Sequence, residues 1–392
     1  MSYREKISDS ELGERLRVAR ESAKTTQAAA AKAINVARTT IVAIEQGQRR
    51  VRPDELQQLA RLYNTSVNSI LRKEAVHIDL VPRFRKLVSS EDNAIEKSIK
   101  LLHDLVAAEL ELETVLAVDR PRNYPPERPI LPGDVRNQAE LDAQELRDWL
   151  GLGGGAIFDI VSILDLQLGV RVYVRQLDSS VSGLFAYDEQ AGACMLLNAN
   201  HPAERLKNTG AHELAHFVST RREPEVLVVV ENTSSREEKY ANHFARCFLT
   251  PGRAVRQRFA EITAGQSHLT RRHIILLAHS FGVSREAMCR RLEELKLAKS
   301  GTWDWFVANG GITNEQVKQV LGVDPEKSHD FSAAQGPVPP RLGLLAREAW
   351  RKGLYSEGQL ARLLGVTRCE TRLILDGAEQ EENEANELFK LS

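Results

Sequence analysis

The chain is expected to be mainly α-helical with a small antiparallel β-sheet, an α+β protein. Apolar residues recur every three or four positions over most of its 392 residues. Three short stretches between residues 170 and 198 alternate instead as strands do. Five prolines fall within positions 121–132, where no helix can run. A chain this long exceeds one ordinary core. The expected division is a five-helix domain (8–73), a helical connector with the proline-rich stretch (74–133), an α+β domain around a His-Glu-x-x-His helix (134–300) and a C-terminal helical region (301–392).

Composition bounds the possibilities. A hydrophobic fraction of 42% and a charged fraction of 27% are those of a soluble globular protein. No apolar run is long enough to span a membrane, and Met1–Lys6 lacks the apolar core of a signal peptide, so a cytoplasmic protein with no membrane partner is expected. Cys194, Cys247, Cys289 and Cys369 show no paired spacing and read as reduced thiols. With a net charge of −1, nucleic-acid binding would need a local basic face.

From about Ser10 to Leu71 five short helices are expected. Thr26 caps an alanine-rich second helix from Gln27 to Ile34, and Asn35-Val36 makes a tight turn, Asn tolerating the left-handed conformation. Ala37–Gln46 is a third helix ended by Gly47, Pro53 opens the fourth, and Ser66 caps the last. The stretch carrying Gln27, Ala31, Val36, Ile41, Ile44, Glu45 and Gly47 resembles the XRE-type helix-turn-helix domain of phage repressors, with Asn35 where Gly is usual. The resemblance implies double-stranded operator DNA as partner and a homodimer on two half-sites. Arg38, Thr39 and Thr40 would read bases, Gln27 would hold a phosphate or base, and Gln48, Arg49, Arg50 and Arg52 would supply charge to the backbone. The plain alternative is that these arginines form a solvated loop.

In the connector, Ile95, Ile99, Leu102 and Val106 form one stripe of a helix over 93–116, which suits either a dimer contact or packing on its own domain. Helices are then expected at 139–150, before Gly153-Gly154-Gly155, and at 157–166. The glycine run lacks the Gly-Lys-Ser/Thr ending of a phosphate loop. Val170–Val174, Ser182–Tyr187 and Ala193–Asn198 are expected to make an antiparallel meander, with a short apolar strand or loop at 226–230.

The sequence His212-Glu213-Leu214-Ala215-His216 follows. Residues four apart share a helix face, so both imidazoles can address one metal ion, and Glu213 lies within reach of a water there as general base. A tetrahedral catalytic zinc needs a third protein ligand. Downstream, Ser234 or Ser235 caps a helix whose buried stripe is Ala241, Phe244, Ala245 and Phe248. Glu238 shares that stripe and Glu237 points outward, which selects Glu238. The pair H-E-L-A-H and E-K-Y-A-N-H-F-A-R-C-F-L-T-P resembles the ImmA/IrrE family of zinc metallopeptidases over about residues 135–300, with Thr250 departing from the usual Met. That resemblance implies Zn2+ on His212, His216 and Glu238, Glu213 as base, and a DNA-binding repressor as the protein substrate. Asn198 and Arg205 match positions leading into the metal helix. Asn242 is a candidate to support a ligand, and His243 reads as an exposed helix histidine.

Two further helix-turn-helix-like patterns stand at 274–292 and 356–372, the second with Arg368, Thr371 and Arg372 expected to face outward. The tail from Glu379 is acidic and expected to fray. Three functions follow: a zinc endopeptidase fused to a DNA reader that cuts a helix-turn-helix repressor, a transcriptional regulator whose zinc is sensory or structural, and an antitoxin-like regulator.

Overall fold

In the computed structural model, residues 8–63, 65, 67–71, 93–222, 225–228, 235–322 and 338–376 are described. Ser66, residues 72–92, 229–230 and the acidic tail therefore lie outside the described residues. The architecture is mainly α with one small sheet, as expected, and divides into two compact units at residues 77–78.

The first unit comprises α1 (Asp9–Ser22), α2 (Gln27–Ala33), α3 (Arg38–Glu45), α4 (Pro53–Leu62) and α5 (Val67–Leu71). Ser8 starts α1 through a capping box with Glu11, and Thr26 caps α2 by accepting the Ala29 amide. Asn35 is left-handed at φ 54° and Gly47 at φ 71°, which turns the chain after α2 and stops it after α3. Leu16, Ile34, Ile41, Ile44, Leu56 and Leu59 fill the core between the helices.

The second unit begins with α6 (Asn93–Leu116) and α7 (Val135–Trp149). The helix expected at 157–166 is instead a single α-turn, α8 (Ile160–Ser162), running into a π-helical turn over Ile163–Gln167. Asp159 sets its start by accepting the Ser162 amide. Arg120 takes both the carbonyl and the carboxylate of Asp165, which suits the widened turn.

The strands are β1 (Arg171–Arg175), β2 (Val181–Asp188), β3 (Gly192–Asn198) and β4 (Glu225–Val228), in the spatial order β1-β3-β2-β4. The strands do not form the expected all-antiparallel meander. β2 pairs antiparallel with both β3 and β4, but β1 pairs parallel with β3, so the sheet is mixed. The loop from β1 to β2 passes over the end of β3, and Asn198 holds it there. Its Oδ1 accepts the Leu177 amide at 3.1 Å, and its Nδ2 donates to the carbonyls of Asp178 and Val181 at 2.9 and 2.7 Å.

Both faces of the sheet are covered. Val172, Phe185, Met195 and Leu197 face one core with α7 and the helices that follow the sheet; Tyr173, Leu184, Cys194 and Leu196 face the other with α6. This alternation is the period of two that a pleated strand imposes. The α6 stripe of Ile95, Ile99, Leu102 and Val106 is therefore packed within its own unit, the second of the two expected uses. The proline-rich stretch is extended and held in place. The Asn123 amide donates to Leu168, the Arg128 amide to Val218, and Tyr124 stacks edge-on against Phe217 at 4.9 Å.

The remaining helices are α9 (Ala203–Ser219), α10 (Arg236–Leu249), α11 (Gly252–Ile262), α12 (Arg271–Phe281), α13 (Arg285–Glu294), α14 (Thr302–Ala308), α15 (Asn314–Leu321), α16 (Pro340–Arg351), α17 (Glu357–Leu364) and α18 (368–376).

A buried ion-pair network lies on the second face. Arg171 donates twice to Glu113, at 3.1 and 2.7 Å, and Arg120 pairs with Glu109 and Asp165. Tyr173 donates to Glu109 at 2.6 Å, and Arg341 of α16 reaches Glu113 at 3.2 Å. Burial opposes charge on Glu109, but Arg120 and Arg171 hold its carboxyl below the usual range. Removing one acid leaves the three arginines under-compensated. Glu113→Ala is expected to lower unfolding free energy by about 3–5 kcal/mol, measured by denaturant titration. A loss under about 1 kcal/mol would mean that Glu109, 2.9 Å from Arg171, holds the guanidinium without Glu113.

Candidate metal centre and nucleic-acid interface

The metal helix is α9. Its apolar side of Leu206, Leu214, Phe217 and Val218 is buried, and Ala211 and Ala215 keep its surface thin. One turn separates His212 from His216, and both are 1% exposed. Their Nε2 atoms stand 3.1 Å apart. Glu238 comes from α10, with Oε2 3.5 Å from His212 Nε2 and Oε1 3.3 Å from His216 Nε2. Three ligand atoms from two helices thus address one point. Two Zn–N bonds of about 2.0–2.1 Å at a tetrahedral angle require nitrogens roughly 3.3 Å apart, so the donor set and its spacing fit a zinc ion.

Local sequence explains the placement. Ser235 caps α10 by accepting the Glu238 amide at 3.1 Å, so Glu238 stands in the first turn. Glu237, one residue earlier, is exposed. Burial lowers the pKa of His216, which favours the neutral imidazole a metal needs. Burial resists ionisation of Glu238, yet hydrogen bonds from His212 and His216 hold its carboxyl well below the usual range.

Glu213 is fully buried beneath β2. Gly183 makes this possible. A methyl group there would lie 2.7 Å from Thr209 Cγ2, 3.2 Å from Glu213 Oε1 and 3.3 Å from the Leu196 carbonyl. The β2–β4 pairing is irregular between Val181 and Gly183, at the same place. Sequence reasoning missed Gly183; a glycine inside an alternating strand was the available sign.

His243 is not an exposed helix histidine. It is largely buried beside Glu140 and Cys247, with Nδ1 3.8 Å from Glu294, and burial lowers its pKa. Arg205 donates to Ser182 at 3.2 Å. Asn242 is half-buried on α10.

In the first unit, a chain of polar contacts runs from the core to the surface. Arg20 pairs with buried Glu45 at 2.6 Å; Gln27 donates to Glu45 at 2.9 Å and accepts from Arg38 at 3.4 Å. Gln27 thereby joins the core to Arg38. Arg38 and Thr39 are exposed at the start of α3, and Thr40 is half-buried. Gln48 is exposed. Arg49 binds Glu55 through two hydrogen bonds of 3.0 and 2.9 Å, which with Arg52 pull the Glu55 carboxyl down to about 2. Arg50 pairs with Asp9 at 2.8 Å while staying open to solvent.

Two segments match models of known families. Residues 166–293 match the IrrE N-terminal-like domain of the peptidase M78 family. Residues 11–70 match a helix-turn-helix domain. One segment of the chain is thus similar to an IrrE-like peptidase domain and another to a helix-turn-helix domain. No curated protein matches it. Among solved structures, ComR from Streptococcus suis aligns over 97% of this chain and 96% of that one at 10% identity, with a TM-score of 0.16, too low to support an argument.

Gly183→Ala is expected to cost about 1–3 kcal/mol of stability through overpacking, measured by denaturant unfolding. A neutral outcome would mean that β2 can lift from α9 without strain.

Proposed function

We propose that this protein is a cytoplasmic zinc endopeptidase that binds operator DNA and cleaves a partner helix-turn-helix repressor, relieving transcription of stress, phage or mobile-element genes. The observation that carries the proposal is the convergence of His212, His216 and Glu238, with Glu213 buried one residue from the first ligand. A site that serves only structure has no need of a carboxylate beside its ligands.

His212, His216 and Glu238 would hold the zinc. When bound, the ion supplies a Lewis acid for the scissile carbonyl and acidifies a water. Glu213 would accept the proton of the attacking water on its carboxylate and return it to the departing amine. The cover of β2 over Glu213 limits the bulk water that reaches the carboxylate. The helix-turn-helix domain supplies the DNA partner, with α3 entering the major groove and Arg38, Thr39 and Thr40 at base edges. Gln27 would orient Arg38, and Gln48, Arg49 and Arg50 would lie along the backbone. A homodimer would set two such readers on two half-sites.

Purified protein is expected to carry about one zinc per chain by elemental analysis, and His212→Ala to lose it. Glu213→Gln is expected to keep the metal and to slow cleavage of a neighbouring-gene repressor by about 10²–10⁴-fold, with chelator abolishing cleavage by the parent protein. Metal bound with cleavage unaffected in that variant would assign the base elsewhere. Arg38→Ala is expected to cost about 1–3 kcal/mol of operator affinity in a titration at fixed salt, and an unchanged affinity would remove Arg38 from the reading face.

A further inference from the structure

We infer that residues 356–376 form a second double-stranded-DNA-binding element, whose phosphate clamp is the groove between Arg362 and Arg368. This goes beyond the proposed function, which assigns DNA binding to the first unit alone.

The observation is a repeat of form. Thr26 and Ser356 each cap a helix by accepting an amide three residues on. Asn35 and Gly365 each turn the chain left-handed, at φ 54° and 62°, and each is followed by a half-buried valine, Val36 or Val366. An arginine, Arg38 or Arg368, opens the next helix at the same offset. Residues 361–376 repeat the burial pattern of 31–46 at all but three positions, 33/363, 42/372 and 43/373. The agreement puts the same positions of each motif toward solvent. Thr371, expected to point outward, is fully buried because it stands where Ile41 does. Arg368 and Arg372 do face solvent.

The exposed face carries the chemistry of a phosphate clamp. A groove of about 470 Å³ is lined by Gly358, Ala361, Arg362, Gly365, Val366 and Arg368. Small residues on the first helix open it, and two guanidiniums flank it. The corresponding basic positions of the first motif are Lys32 and Arg38, so cationic character recurs at the same two places. Guanidinium pairs on either side of an open groove suit phosphate oxygens. In the second motif Arg372 also stands on the solvent side of α18, where its Nε donates to Glu357 at 3.2 Å.

The intervening motif supplies the contrast. Gly282 is left-handed at φ 59° and Ser284 caps α13. There, however, Arg285 donates to the Ile312 carbonyl at 2.6 Å and Arg290 pairs with Asp304 at 2.9 Å. Segments 301–322 occupy the polar groups of its second helix. α18 keeps its arginines at the surface.

The test uses the full chain and a 30-base-pair duplex lacking any operator, titrated by fluorescence anisotropy across a salt series. Five proteins are compared: the parent, Arg38→Ala, the double variant Arg362→Ala/Arg368→Ala, all three substitutions together, and Arg362→Lys/Arg368→Lys. The double variant is expected to weaken binding at low salt and to reduce the slope of log K against log salt by about 2, in the parent and the Arg38→Ala background alike. Arg362→Lys/Arg368→Lys is expected to restore most of the slope, and thermal melts followed by circular dichroism separate a lost contact from a lost fold. Unchanged affinity and slope in both backgrounds would overturn the inference. So would unchanged DNA binding accompanied by a change of mass in light scattering, which would make the face a protein contact. If Arg38→Ala leaves operator affinity unchanged while the double variant weakens binding to the non-operator duplex, the first-unit reading fails and this one stands.

Discussion

Two helices meeting within one side chain's reach of each other is the constraint on which the candidate metal centre depends. The imidazoles on α9 are paired by helix geometry alone, but the carboxylate arrives from α10. Ala211, Ala215 and Ala241 are fully buried, so the layer between the helices stays thin. α10 is then fixed along its axis. Ser235 defines its first turn at Glu238. At the other end two buried arginines take the terminal carbonyls: Arg147 donates to Phe248 at 2.5 Å and Arg291 to Thr250 at 3.1 Å. A helix secured at both ends cannot slide, and a slip of one residue would turn Glu238 about 100° away from the histidines.

The same arginines explain a segment with no motif of its own. Arg147 also donates to the carbonyls of Gly153 and Gly155, at 2.9 and 2.5 Å. The glycine-rich loop folds around a guanidinium and has the conformational range to do so. Burial lowers the Arg147 pKa to about 10, so the group stays charged at neutral pH, and its neutralising partners are carbonyl dipoles. Arg291 adds a hydrogen bond to Glu140 at 2.6 Å. That pairing sets the surroundings of His243 and Cys247 and accounts for a histidine that helical spacing alone left at the surface.

What was legible in the sequence was local. Helix starts and stops followed caps and turn residues such as Thr26, Asn35, Ser235 and Gly365, each of which acts within four positions. The spacing of His212 and His216, and the stripe that separates Glu238 from Glu237, are consequences of 3.6 residues per turn. What was not legible depended on partners far along the chain. The alternation of residues 170–198 predicts strands but is blind to order, and β1 lies beside β3 because Asn198 anchors the loop that crosses over it. The π-helical turn at 163–167 answers to Arg120, over forty residues earlier. Gly183 matters through Thr209 and Glu213, which no pattern within its own strand announces.

The helix-turn-helix patterns carry this point furthest. Asn35-Val36, Gly282-Val283 and Gly365-Val366 make the same left-handed turn, and each is followed by an arginine at the head of a helix. Local physics stops there, because a turn specifies how two helices cross and says nothing of what lies over the second one. At Arg285 the cover is chain from 301–322, and the guanidinium ends on the Ile312 carbonyl. At Arg38 the guanidinium is held from behind by Gln27, itself bound to Glu45 in the core. The former is a packing element and the latter a presented side chain, although their turns alone would not separate them. Whether such a motif meets DNA is therefore decided by burial of the second helix and by what steadies its first arginine.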